Sequence, residues 1–189
     1  MIARVAFMCM IAGLGFNVVS CSEQTPIERI PDLEARRSQE PRSEIHNFSY
    51  LFSEFGKPKA RLTAPFARDF YRPDVGETEF RLSKGMAIQF FDSLGQPTSQ
   101  LTAREGTLFQ TKGYAEATGQ VVWTNEKGER LETERLRWFR QLNQVSTPDF
   151  VKITTPRDVL YGDSLVANLA FSRYQIYKIR GQFLLEEFE

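Results

Sequence analysis

Downstream of residue 45, apolar and polar positions alternate with a period of two. Leu101 and Ala103 fall on one side, Thr102 and Arg104 on the other, and the pattern recurs in Val121/Trp123, Leu131/Thr133, Leu136/Trp138, Val151/Ile153 and Tyr174/Ile176. This is the pattern of strands with one buried face. No stretch beyond the first 21 residues carries a helical apolar stripe over a dozen positions. The strands come in repeats. Residues 51–64, LFSEFGKPKARLTA, match residues 90–103, FFDSLGQPTSQLTA, at an offset of 39, which pairs Phe52 with Phe91, Gly56 with Gly95 and Pro58 with Pro97. A weaker copy runs through Trp123, Gly128, Leu131 and Thr133. Each copy reads as a β-hairpin whose turn glycine supplies a positive φ, and stacked hairpins predict an all-β, antiparallel domain. About 140 residues of strands and short turns make on the order of 13–16 strands, too many for a flat sheet, so the sheet must close, curl or fold into two facing layers. Its inward face can pack as a core or stay parted as a slot, and alternation leaves both open.

The N-terminus is organised differently. Arg4 precedes an apolar run from Val5 to Val19, short of the about 20 residues that span a bilayer, and reads as a secretory signal. Val18-Val19-Ser20-Cys21 resembles the bacterial lipobox. That resemblance implies a lipoprotein signal peptide over residues 1–20 and a mature protein starting at a diacylglyceryl Cys21. One acyl chain holds a protein only marginally, whereas several hold it firmly. Residues 21–45, with three prolines and many charges, read as a disordered tether, and residues 46–189 as the folded domain.

Composition narrows the chemistry. Twenty-four basic and 24 acidic residues give a net charge of zero, against the basic face that nucleic-acid binding requires. The two cysteines, Cys9 and Cys21, both lie in the leader region, and His46 is the single histidine. A disulfide, thiolate metal site or histidine triad in the domain therefore has few or no residues to use. Glu132, Glu134, Glu186 and Glu187 read as solvated strand faces, Lys57, Lys59 and Arg61 as one basic strand face, and His46 as a surface imidazole. The expectation is a protein with no catalytic residue, metal or cofactor.

The lipobox, the paired G-x-P-x-x-x-L-T-A segments and the tail together resemble the LptC family of periplasmic lipopolysaccharide-export proteins. In the tail the matching positions are Gly119, Val121, Gly128, Leu131, Thr133, Leu136, Trp138, Val151, Ile153, Thr155, Gly162 and Leu165. The resemblance covers residues 48–188. Many members carry an uncleaved membrane helix where this chain carries the lipidated cysteine. It implies an open, twisted, boat-like antiparallel β-jellyroll that takes lipopolysaccharide from an LptB–LptF–LptG ABC transporter and hands it to an LptA-like bridge protein. The protein would be periplasmic and held at the inner membrane by Cys21, with the outer membrane as the alternative that Ser22 raises. The implied lipid groove is lined by Leu62, Ile88, Phe90, Leu101, Ala103, Leu108, Ala117, Val121, Trp123, Leu131, Leu136, Trp138, Val151, Ile153, Phe171, Ile176 and Phe183. The implied docking edges are the first strand (Phe48, Tyr50, Phe52), toward the transporter, and the last (Tyr174, Ile176, Phe183), toward the bridge. The rival expectation is an envelope lipoprotein that binds another hydrophobic ligand or acts in outer-membrane assembly.

Overall fold

The computed structural model describes residues 40–182, with side chains through Arg180. The expected signal peptide, Cys21, the expected tether up to residue 39 and Phe183 lie outside the described residues. All described regular structure is β: β1 Ser43–Glu54, β2 Lys57–Arg72, β3 Glu77–Ser83, β4 Met86–Phe91, β5 Pro97–Ala103, β6 Glu105–Phe109, β7 Tyr114–Asn125, β8 Arg130–Phe139, β9 Gln144–Thr147, β10 Val151–Thr154, β11 Val159–Gly162, β12 Ser164–Asn168, β13 Tyr174–Tyr177 and β14 Arg180–Gln182. β1 begins three residues before the expected domain boundary. Its polar start is held to β2 by the ion pairs Arg42–Asp69 at 2.7 Å and Arg68–Glu44 at 2.9 Å, which apolar alternation does not register.

The strands form nine bent ribbons in a meander. The ribbons are β1, β2, β3 with β4, β5 with β6, β7, β8, β9 with β10, β11 with β12, and β13 with β14, and each pairs antiparallel with the next. The bends fall in line. Asn47 (φ 54°), Lys84 and Gly85 (66° and 95°), Gly119 and Gln120 (76° and 49°) and Lys178 (54°) turn alternate ribbons through the left-handed region. At Gly119 the requirement is double, because a Cβ there would also sit 3.3 Å from Arg104 Cβ.

Each ribbon thus belongs to two layers. The first layer holds β4, β5, β10, β11 and β14, the second β3, β6, β9, β12 and β13, and β1, β2, β7 and β8 run through both. Across the first layer, one inward row reads Tyr50, Leu62, Ile88, Leu101, Trp123, Leu131, Ile153 and Leu160. Across the second, the row reads Phe80, Leu108, Ala115, Trp138, Val145, Ala167 and Tyr174. Both rows pack in or against one buried cluster, so the two layers share a single core. Among the described residues the first and last ribbons do not pair with each other: β1 pairs only with β2, β13 with β12 and β14 with β11.

Candidate functional site: the seam between the layers

The interior collects most of the expected lining. Leu62, Ile88, Phe90, Leu101, Ala103, Leu108, Ala117, Val121, Trp123, Leu131, Leu136, Trp138, Val151, Ile153 and Phe171 are each at most 8% exposed and join one core cluster. Ile176 is half-buried against that cluster. At these positions the two layers are packed together, so the interior is a filled core here and not an open trough. Alternation marks an inward face, which is the same for either outcome. Phe171 was expected on a strand. It lies instead in the turn after β12, at φ 52°, and folds inward. Interior residues outside the expected lining include Met86, Val145 and Leu165. The alternation of Val145 and Thr147 with polar neighbours could have marked the second.

The docking-edge residues also differ from expectation. Phe48 and Phe52 are buried and Tyr50 is half-buried, all in or against the core, because positions two apart share one face of a strand. What β1 offers outward is its backbone edge and Leu51, which is 50% exposed. Tyr174 and Ile176 on β13 likewise lean on the core, while Tyr177 and Ile179 are exposed.

Where the two layers meet opposite the bends, aromatic rings close the seam. Phe52 meets Trp138 edge-on at 4.8 Å, Trp138 meets Phe90 at 5.3 Å, Phe90 meets Trp123 at 6.1 Å, and Trp123 stacks on Phe171 at 4.6 Å. Tyr174 lies 5.2 Å beyond Phe171, and burial raises its phenol above the usual value of 10.0. Hydrogen bonds tie the same line. Ser99 Oγ donates to the Leu169 carbonyl at 2.6 Å, and Asn125 Nδ2 donates to the Phe171 carbonyl at 3.0 Å. Both join first-layer strands to the turn that follows β12.

At the β1 end, the seam stays parted. A cavity of about 350 Å³ lies there between Ser53, Glu54 and Lys59 on one rim and Gln110, Thr111, Gly113, Arg140, Gln141 and Asn143 on the other, with Phe52 and Trp138 lining it. Arg140 holds its guanidinium 5.2 Å over the Phe52 ring. Neither Trp123 Nε1 nor Trp138 Nε1 meets an acceptor among the described residues, and the same holds for the buried Arg140 Nε. A buried donor without a partner costs about 1–3 kcal/mol, so an acceptor brought to any of these positions would be stabilising; Arg135 Nε, which does not line the cavity, is in the same state. Among the described residues no three His, Cys, Asp or Glu side chains gather to hold a metal ion.

These features define a two-layered antiparallel β-jellyroll with an apolar seam and two free ends. The chain belongs to the LptC-related family of lipopolysaccharide-assembly proteins, matching it over residues 7–183. That family acts in lipopolysaccharide transport in the periplasm. The crystal structure of LptH, the LptA-homologous periplasmic component of the lipopolysaccharide transport device of Pseudomonas aeruginosa, is similar at 14% sequence identity and a TM-score of 0.47, over 67% of this chain and 95% of that one. No curated protein matches the chain by sequence.

Proposed function

We propose that this protein receives lipopolysaccharide from an inner-membrane LptB–LptF–LptG transporter and passes it to the next β-jellyroll, an LptA-like bridge protein. In this reading Cys21 is lipidated and holds the protein to the inner membrane. The observation that carries it is the closed apolar seam lying between a first and a last ribbon whose outer edges are unpaired among the described residues. A lipid with several acyl chains cannot cross water alone, since each 1,000 Å² of exposed apolar surface costs about 25 kcal/mol. A meander with free edges at both ends allows strand addition on either side, so one apolar interior can run on into the next. The seam parts to admit acyl chains, which then take the place of its own aromatic contacts.

Photo-crosslinkers at Val121, Leu131 and Ile153 in living cells test this, with outward-facing Val122 and Thr124 as controls. Capture of lipopolysaccharide at the three interior positions and not at the controls is the expected result. Equal capture at both sets, or none at the interior, overturns the carrier role. For the anchor, Cys21→Ala must abolish labelling by a radioactive fatty acid, and labelling that persists rules it out.

A further inference from the structure

The parted end of the seam has a polar composition that an apolar conduit does not need. Trp138 is 2% exposed and lines the cavity, yet its indole N–H has no acceptor among the described residues. Arg140 lines the same cavity, and its Nε is buried without an acceptor, while its Nη2 donates to the Gln110 carbonyl. The charged groups around the cavity are Arg140, Lys59 and Glu54, and Lys59 is already paired with Glu54 at 3.3 Å. Among these lining side chains Arg140 is the cation without a carboxylate partner in the described residues, and the nearby Glu77 carboxylate is taken up by Thr111 N and Lys112 N. An indole donor, an apolar floor and a cation together match one ligand chemistry: the junction of an acylated, anionic lipid, where a chain ends in an ester or amide carbonyl next to a phosphate or carboxylate.

Resting on the reading of the chain as a lipid carrier, we propose that this cavity recognises that junction. Trp138 Nε1–H donates to the acyl carbonyl, Arg140 holds the anionic group, and the acyl chain follows the seam past Phe90. Trp123, fully buried with a second unpartnered Nε1, stands further along the same line and contacts Phe90 as Trp138 does. A second carbonyl of a multi-chain lipid has a donor there.

Calorimetric titration of the full chain with decanoyl lysophosphatidate and with its ether-linked analogue tests the proposal, because the two probes differ only in the carbonyl. The wild type should bind the ester about five- to tenfold more tightly, the worth of one net hydrogen bond. Trp138→Phe should bind both probes equally, at the wild type's ether affinity, and that retained ether binding certifies the fold. Arg140→Gln should weaken both probes alike, by about tenfold, and flatten the salt dependence. Equal binding of ester and ether by the wild type, or a preference that survives Trp138→Phe, overturns the carbonyl contact. Unchanged affinity in Arg140→Gln overturns the anion contact. Failure to bind either probe strikes the carrier reading itself.

Discussion

Asn125 links the two layers and also builds the hairpin that carries it, and one substitution separates these jobs. Its Oδ1 accepts from Lys127 N at 3.0 Å and Glu129 N at 3.1 Å, while its Nδ2 donates to the Phe171 carbonyl at 3.0 Å and Glu129 Oε2 at 2.7 Å. Asn125→Asp keeps the two acceptor bonds of the turn and deletes both donations. The Phe171 carbonyl then lies buried without that partner, at about 1–3 kcal/mol. A carboxylate also faces Glu129 where a hydrogen bond stood, for roughly 1 kcal/mol more near the surface. The loss of about 2–4 kcal/mol is a large share of a domain stability of roughly 5–15 kcal/mol. The electrostatic part exists only while the new carboxyl is ionised, and the fold favours its protonated form, so its pKa is raised on folding. That part is therefore absent below the unfolded value of about 3.9 and grows as pH rises through the folded one. Urea titrations followed by tryptophan fluorescence, from acid to neutral pH, measure both parts, and Trp123 reports directly because it stacks on Phe171. Asn125→Ala is the comparator: it removes the same donations without adding a charge, so it lacks the part of the deficit that the new carboxyl contributes. If Asn125→Asp stays within about 0.5 kcal/mol of wild type at neutral pH, the tie to Phe171 does not hold the seam.

Two further perturbations probe the ends of the meander. Gly162→Ala puts a Cβ 2.1 Å from Ile176 Cγ2 and 3.1 Å from the Tyr177 carbonyl, so the last ribbon must shift at about 1–3 kcal/mol; hydrogen exchange should quicken in β13 and not in β2, and uniform protection would count against the packing argument. Because burial raises the Tyr174 phenol above 10.0, the stability it contributes is complete below pH 10 and lost as pH climbs through the raised value. Tyr174→Phe should accordingly lose less stability than wild type between pH 9 and 11.5 in denaturant titrations, and identical losses would contradict the assignment.

The hairpins were legible because their signals are local. Gly56, Gly95 and Gly128 do occupy positive φ, at 75°, 81° and 78°, and the strands on either side alternate as the sequence does. The bends were not legible. Asn47, Lys84, Gln120 and Lys178 take left-handed backbone, and although Asn47 favours it and Gly85 and Gly119 adjoin two of the others, a single Asn or Gly inside an alternating run does not separate a bend from a continuous strand. The seam was half legible. Trp123 and Trp138 stand out as inward residues of adjacent strands, but whether an inward row meets lipid or the opposite row depends on the distance between layers, which no period encodes. The polar end of the seam was missed for another reason. Lys59 and Arg140 lie far apart in sequence and on different ribbons, and nothing local links either to a tryptophan.

The way the seam is closed bears on how a carrier can be both stable and permissive. Within each layer, strands are joined by continuous backbone ladders. Between layers along the seam, the ties are the ring contacts of Phe52 and Phe90 with Trp138 and of Trp123 with Phe171, and the single hydrogen bonds of Ser99 and Asn125. At about 0.5–1.5 kcal/mol apiece these total roughly 3–7 kcal/mol. Covering a single acyl chain contributes about 0.8 kcal/mol per CH₂, so a dozen methylenes outweigh the whole set. In the proposed carrier role, an arriving chain parts the layers without breaking a ladder, and its departure lets the rings close again. A seam tied by a disulfide or a continuous strand pairing would be too costly to open on this scale, and one with no ties would leave an apolar slot in water. The aromatic line lies between those limits, which is what the proposed carrier role asks of a core that fills and empties.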